Sequence, residues 1–278
     1  MIKGCIYIVV GLFAIVTFSA CEEIPIKLSD PVIPQTDRIV IIEDLAGASC
    51  PNCPKGNTAI ENIIAKFPGR VAAVGIHGDF LSKPTSKSKY DFRNPKAKDL
   101  ENWFKPWFGK PSASVNRVAD ENDLLMTPLP DLWQAAVEKE LQKSHTLNIF
   151  SDTKYNSITG LVEIEVAAIP LTNLSGNFNI SIYLTESSII DAQTNGPVIV
   201  EDYKHNHVLR DMITKFDGDS FASDMKKSDI VKKAYAYTLS PAAKTLWNSK
   251  NMEVVISIHH NEPKNKSVVQ AFYSKLEK

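Results

Sequence analysis

Between Arg38 and Asp79 the apolar pattern switches from continuous to helical and back again, which leaves few folds open. Arg38-Ile39-Val40-Ile41-Ile42-Glu43-Asp44 is a β-branched run of strand length, suited to a strand buried on both faces. A loop of small residues follows, Leu45-Ala46-Gly47-Ala48-Ser49-Cys50-Pro51-Asn52-Cys53. Ile60, Ile63, Ile64 and Phe67 then recur at helical spacing, and Pro68-Gly69 stops that helix. Residues 71–76 read as a second strand ending at His77-Gly78-Asp79. Strand, helix and strand joined by short connections predict a right-handed βαβ unit with its strands parallel.

Residues 81–94 are polar and rich in Lys and Ser, as an exposed excursion would be. Leu100, Trp103, Phe104 and Trp107 give 97–108 a helical spacing, and Gly109-Lys110-Pro111 leads into a strand over 112–117. An amphipathic helix is expected over 130–143. From Thr146 the texture becomes strand-like: 146–150, 161–168, 177–185, 234–239, 252–259 and 267–274, separated by Asn, Gly and Pro turns. Few helices intervene, so an antiparallel sandwich is expected there, with a short helix near 207–215 and a mobile loop inside 186–233.

The chain starts with Lys3, an uncharged run over 4–20, and Cys21-Glu22-Glu23, the layout of an export signal. Phe18-Ser19-Ala20-Cys21 resembles the lipobox of bacterial lipoproteins, which implies acylation of Cys21 and a membrane partner reached through that lipid. Glu22 to Asp37 contains Pro25, Pro31 and Pro34 and suits an extended tether. The expected division is a signal at 1–20, a lipidated tether at 21–37, a first domain at 38–144 and a second at 145–278. With 44% hydrophobic and 23% charged residues, the part beyond the tether can bury a substantial core. Net charge falls from -1 to -2 once Lys3 leaves with the signal, so nucleic acid is not an expected partner.

Of four cysteines, Cys5 belongs to the signal and Cys21 to the lipid, leaving Cys50 and Cys53. A pair separated by two residues closes too short a loop to staple a fold. Placed at the start of a helix, the same spacing suits thiol–disulfide exchange. Unpaired N–H groups and the helix dipole favour a thiolate, and a second thiol one turn on can resolve a mixed disulfide. Cys50 is thus the expected nucleophile and Cys53 the resolving thiol; an inert disulfide and a metal site remain open alternatives, the metal needing two further ligands of which His77 is the nearest by chain position.

Three features make residues 38–143 resemble the thioredoxin superfamily: the order of elements, Asp44 six residues ahead of Cys50, and Pro111 opening a strand. The resemblance implies that Asp44 moves a proton to or from Cys53 and that Pro111 is a cis-proline facing the disulfide. Ser49 in place of a tryptophan, Pro51-Asn52 between the cysteines and Pro54 after them depart from that pattern. The whole chain also resembles the outer membrane protein 28 family. The resembling residues are Ile42-Glu43-Asp44, Cys50-Pro51-Asn52-Cys53-Pro54-Lys55-Gly56, His77-Gly78-Asp79-Phe80, Asn116-Arg117 and His205-Asn206-His207-Val208-Leu209-Arg210. Together these imply an outer-membrane, lipid-anchored protein, periplasmic or surface-exposed, with an α/β thioredoxin-like domain followed by an all-β immunoglobulin-like sandwich.

Other residues have a plain reading beside the functional one. Glu43 takes the role of Asp44 if the strand register shifts by one. His205 and His207 alternate as strand neighbours and are expected to pack or cap more than to grip a metal, and His259-His260 face opposite ways. Trp103, Phe104, Trp107 and Phe108 are expected to pack, with a rim beside Pro111 as the alternative. The leading expectation is a tethered exchange protein acting on protein thiols or disulfides docked across Pro111, with no cofactor and no metal. Its rival is a surface binding protein or adhesin that uses the sandwich and keeps the first domain as a redox-inert scaffold.

Overall fold

The computed structural model describes residues 36–277. The signal, Cys21 and nearly all of the tether lie outside the described residues. Strand β1 (Val40–Leu45) is buried at every position and pairs in parallel with β2 (Val71–Ile76), from Val40 opposite Val71 to Leu45 opposite Ile76. Helix α1 (Cys53–Lys66) connects the two. Strand β3 (Ser112–Val115) pairs antiparallel with β1 on its other side. Helix α2 (Pro95–Trp103) precedes it; the Asn94 side chain accepts from the Ala97 N–H, and Pro95 takes the first turn where its missing donor costs nothing. It stops short of the expected Phe108 because Pro106 disfavours helical backbone at Lys105. Helix α3 (Pro130–Leu141) packs on the same sheet face as α1: Val40 and Ile42 meet Ile60 and Ile63 of α1 and Trp133 and Val137 of α3.

The rest of the chain is almost entirely strand. In order come β4 (Leu147–Asn156), β5 (Leu161–Pro170), β6 (Leu174–Glu186), β7 (Ile189–Asn195), β8 (Val198–His205), β9 (Val208–Met212), β10 (Asp219–Met225) and β11 (Val231–Thr238). A short helix α4 (Pro241–Leu246) leads to β12 (Met252–His260) and β13 (Val268–Lys275).

The strand partners overturn the expected fold class. Among the described residues the main sheet runs β13-β12-β6-β9-β2-β1-β3, with β10 on β6, so the three strands of the first half continue a sheet built by the second. With 43% strand against 18% helix, the molecule is mostly β, not an α/β thioredoxin-like domain followed by a separate immunoglobulin-like sandwich. Strand β9 makes the join. It pairs antiparallel with β6 and touches β2 at Gly75, whose N–H donates to the His207 carbonyl at 2.7 Å. A Cβ at Gly75 would stand 3.3 Å from that oxygen, so glycine lets the two backbones close up. The helix expected near 207–215 is this strand instead, since a ladder between two long-range neighbours outweighs a short helical spacing.

A shared core matches the shared sheet. Ile41, Leu45, Val74 and Ile76 pack with Leu100 and Phe104 of the first half and with Tyr183, Leu209, Met212 and Val255 of the second. A second core lies where β6 and β12 face the separate β11-β5-β4 sheet, through Ile149, Val162, Ile164, Phe178, Ile182 and Ile256. Strands β7 and β8 form a two-stranded hairpin of their own.

Candidate functional site

Side chains alternate along β1, so Val40, Ile42 and Asp44 share the face that carries α1 while Ile41, Glu43 and Leu45 face the other core. Asp44 is the last of its row, at the end where the chain leaves for the cysteine loop. Cys50 lies in that loop and Cys53 is the first residue of α1; the two are joined as a disulfide, with Cα atoms 5.4 Å apart. The helix terminus therefore acts on Cys53 directly, and Cys50 lies just before it. Both are buried, Cys50 at 0% and Cys53 at 2% exposure.

Asp44 is 1% exposed and neither carboxylate oxygen has a hydrogen-bond partner among the described residues. Burial pushes its pKa up to about 7, against the pull of the Lys110 ammonium. Lys110 is itself buried; its Nζ donates to Glu101 Oε2 at 2.6 Å, Ser82 Oγ at 2.9 Å and the Ala46 carbonyl at 2.9 Å. Tyr203, whose phenol feels Asp44, accepts from Asn57 Nδ2 at 2.8 Å in the first turn and a half of α1. Asp44 thus feels the charge of the residue before Pro111 and in turn acts on a tyrosine fixed to the cysteine helix. Its neighbour Glu43 has the opposite environment: Arg117 Nε and Nη2 donate to its two oxygens at 2.8 Å each, and the Tyr183 hydroxyl donates to Oε1 at 2.7 Å.

The Lys110–Pro111 peptide is cis. Pro111 supports the first turn of α1: a Cβ at Gly56 would stand 2.8 Å from the Pro111 Cβ and 3.1 Å from Trp133, so only glycine fits there. On the open side of Pro111 a shallow cavity of about 310 Å³ is lined by Asn52, Lys55, Phe108, Gly109 and Pro130. A neighbouring cleft of about 650 Å³ runs from Ser49 along Phe80, Glu101 and Trp107. Phe104 is buried and Trp103 stacks on Arg117, as packing residues should, whereas Phe108 is 74% exposed and rims this surface.

His77 and His205 are buried edge to face, ring centroids 6.3 Å apart, with Phe92 against both. Burial drives His77 well below the usual range and His205 down to about 4, so both rings are neutral at pH 7. His207 faces away, 3.5 Å from Glu61, so it shares no site with His205. Buried His259 meets Ser181 at 3.1 Å, while His260 packs on Phe178. Among the described residues no group of three or more His, Cys, Asp or Glu side chains is placed to hold a metal ion.

Sequence reasoning missed Lys110, Tyr203 and the β7–β8 hairpin above the disulfide. A buried lysine has no local signature. The hairpin has one in Asn195-Gly196 between two β-prone runs, with Gly196 at φ +56°.

Residues 97–277, more than half the chain, match the family described as outer membrane protein Omp28. The chain belongs to the Omp28 family. Its match starts in α2, so it lies wholly beyond the cysteine loop, α1 and β2. As an Omp28-family member the protein is an outer-membrane lipoprotein of the cell envelope. No helix among the described residues is long and apolar enough to cross a membrane. No curated protein matches the chain. Among solved structures, HBP35 of Porphyromonas gingivalis is similar at a TM-score of 0.70 and 15% identity, over 88% of this chain and 77% of that one. Protein AGR_C_4864 from Agrobacterium tumefaciens is similar at a TM-score of 0.56 and 14% identity, over 88% and 97%. A domain of the outer membrane lipoprotein Omp28 from Porphyromonas gingivalis covers 48% of this chain and 90% of its own, at 18% identity and a TM-score of 0.34. The first two likenesses are ones of fold, and they run across both halves of the chain.

Proposed function

We propose that this envelope lipoprotein, held at the membrane through a lipid on Cys21, exchanges disulfides with protein thiols through Cys50 and Cys53. The observation that carries the reading is Asp44. A buried carboxylate with no hydrogen-bond partner costs the fold free energy. A raised carboxyl pKa at the strand end that leads into the cysteine loop suits a proton donor and acceptor. In the reductive direction a thiolate of a partner dithiol attacks the Cys50 sulfur, the Cys50–Cys53 bond breaks, and Cys53 leaves with the electron pair. Near pH 7 the Asp44 carboxyl is about half protonated and supplies a proton to that leaving thiolate. The partner's second thiol then attacks the mixed disulfide and releases Cys50; the partner leaves oxidised, having given up two electrons and two protons. Cys50→Ser should abolish exchange and Cys53→Ser should trap mixed disulfides.

The deciding measurement is the reduction potential of the pair in the chain starting at Glu22, equilibrated in glutathione or dithiothreitol buffers and trapped with a thiol reagent. A value between about -120 and -270 mV supports exchange. One below about -300 mV marks an inert disulfide and sinks the proposal.

One observation favours the binding-protein reading. A groove of about 580 Å³ crosses the β11-β5-β4 sheet, lined by Phe150, Glu165, Val166, Lys232 and Lys233. Because the main sheet is shared, removing the second half would strip β2 of its neighbour β9 and uncover the core that β1 and β2 share with the later strands. The groove is better tested by Ala167→Lys, on the outward face of β5, read against binding to whole cells, with Cys50→Ser as the variant expected to bind normally. Unchanged binding after both substitutions rules this reading out.

A further inference from the structure

The β7–β8 hairpin is an excursion between β6 and β9 that pairs with no other strand among the described residues, yet it bonds to the cysteine loop. Gln193 and Thr194 of β7 and Gly196 at the turn make the contact. The Thr194 N–H donates to the Ala48 carbonyl at 2.9 Å, and the Gly196 N–H donates to the Pro51 carbonyl at 2.9 Å. Gln193 Nε2 donates to the Gly47 carbonyl at 3.1 Å and the Cys50 carbonyl at 2.9 Å. Four carbonyls around Cys50 therefore accept from the hairpin, those of Gly47 and Cys50 also accepting from the Cys50 and Cys53 N–H groups within the loop, and Cys50 has no exposed surface. An extended chain docking main-chain N–H groups on a row of carbonyls is how a sheet edge takes up a peptide.

We propose that the carbonyls of Gly47, Ala48, Cys50 and Pro51 form a docking edge for an extended polypeptide, and that the β7–β8 hairpin is its internal occupant, an autoinhibitory strap that must lift before a thiol reaches the disulfide. The inference rests on the exchange reading for its purpose but stands on its own contacts. Two features make the strap separable. A two-stranded hairpin has little stability of its own. Its outer side leaves Ile190, Val198 and Ile199 between 39% and 56% exposed, so lifting it uncovers the disulfide without stripping the shared core. Its far end is anchored by buried His205 and by Asp191, which accepts from the Lys89 and Tyr90 N–H groups at 2.7 and 3.0 Å; this end is the hinge.

The test is the rate at which dithiothreitol reduces Cys50–Cys53 in the mature chain, followed by thiol trapping. The dithiol attacks one sulfur, closes its own disulfide, and passes two electrons and two protons to the pair. Gln193→Ala removes two of the four contacts and Thr194→Pro removes a third donor, which points at the loop and not across the hairpin. Each should speed reduction by about tenfold, the effect of one or two ordinary hydrogen bonds on an opening equilibrium. Ile190→Ser, on the exposed outer side, should leave the rate unchanged. Equal rates in wild type and Gln193→Ala overturn the strap, whatever the potential of the pair. Faster reduction of the variants in a protein whose potential is that of an inert disulfide sinks the exchange reading and leaves the hairpin as a shield. A peptide carrying the sequence of residues 192–197 should also compete with the strap in Gln193→Ala and slow its reduction; no slowing at saturating peptide overturns the docking edge.

Discussion

Glu43 and Asp44 are adjacent acids on one strand, equally buried, and the protein treats them in opposite ways. Glu43 faces the shared core, where Arg117 grips both oxygens and Tyr183 adds a third bond. Asp44 faces α1, has no hydrogen bond, and is held about half protonated at neutral pH. Period two along the strand is enough to separate them. The first arrangement joins the two halves of the chain, since Glu43 and Arg117 come from one and Tyr183 from the other. The second leaves a buried, unbonded carboxyl at the strand end that leads into the cysteine loop. Burial alone therefore does not say what an acid is for; the partners do.

The contrast breaks most sharply at Arg117. Arg117→Met leaves Glu43 buried and charged, and should cost roughly 3–5 kcal/mol in urea unfolding. Replacing Glu43, Arg117 and Tyr183 together with Leu, Met and Phe should recover much of that loss, because it removes the stranded charge. A triple variant no better than the single one means that the cluster does more than cancel charge. Lys110→Met comes next, at roughly 2–4 kcal/mol, because Glu101 loses its ammonium but keeps the Asp79 and Phe80 N–H donors at 3.2 and 3.1 Å. The same change should move the Asp44 titration to higher pH, readable by carboxyl infrared absorption, since Lys110 is the group that pulls it down.

Asp44→Asn should have the opposite sign. The Asp44 pKa is higher folded than unfolded, so its contribution is fully present below about pH 4 and is lost as pH rises to about 7, across the interval in which the unfolded chain ionises first. At pH 8 the asparagine variant should be more stable than wild type by roughly 1–3 kcal/mol, and the gain should vanish near pH 4. A gain independent of pH would show that Asp44 is not the titrating group. The smallest effect belongs to Glu61→Gln on the exposed side of α1. Its contacts with His207 and Asn206 are solvent-facing, and the change should stay within about 0.5 kcal/mol by thermal unfolding.

Much of the local structure was legible. The β-branched run at β1, the helical spacing of Ile60 and Ile63, and the second strand at β2 all form with the expected parallel pairing. Their patterns depend on neighbours two, three or four residues away, which the sequence displays directly. Cys50 and Cys53 were singled out for the same reason, as a short-range spacing. Residues 186–233 were not legible, because β9 is a strand only when β2 and β6 stand on either side of it, and a hairpin's target does not appear in its own residues.

What the sequence displayed by itself was a layout that reads as an export signal ending at Cys21, a strand–helix–strand start, a cysteine pair at its turn and a run of later strands. The tertiary structure alone decided that both halves share one sheet, that Arg117 pairs with Glu43 while Asp44 goes unpaired, and that a distant hairpin bonds to the carbonyls of the cysteine loop. Periodicity is written along the chain, whereas strand order and the partner of a buried charge are set by residues far apart in sequence that meet only once the chain has folded.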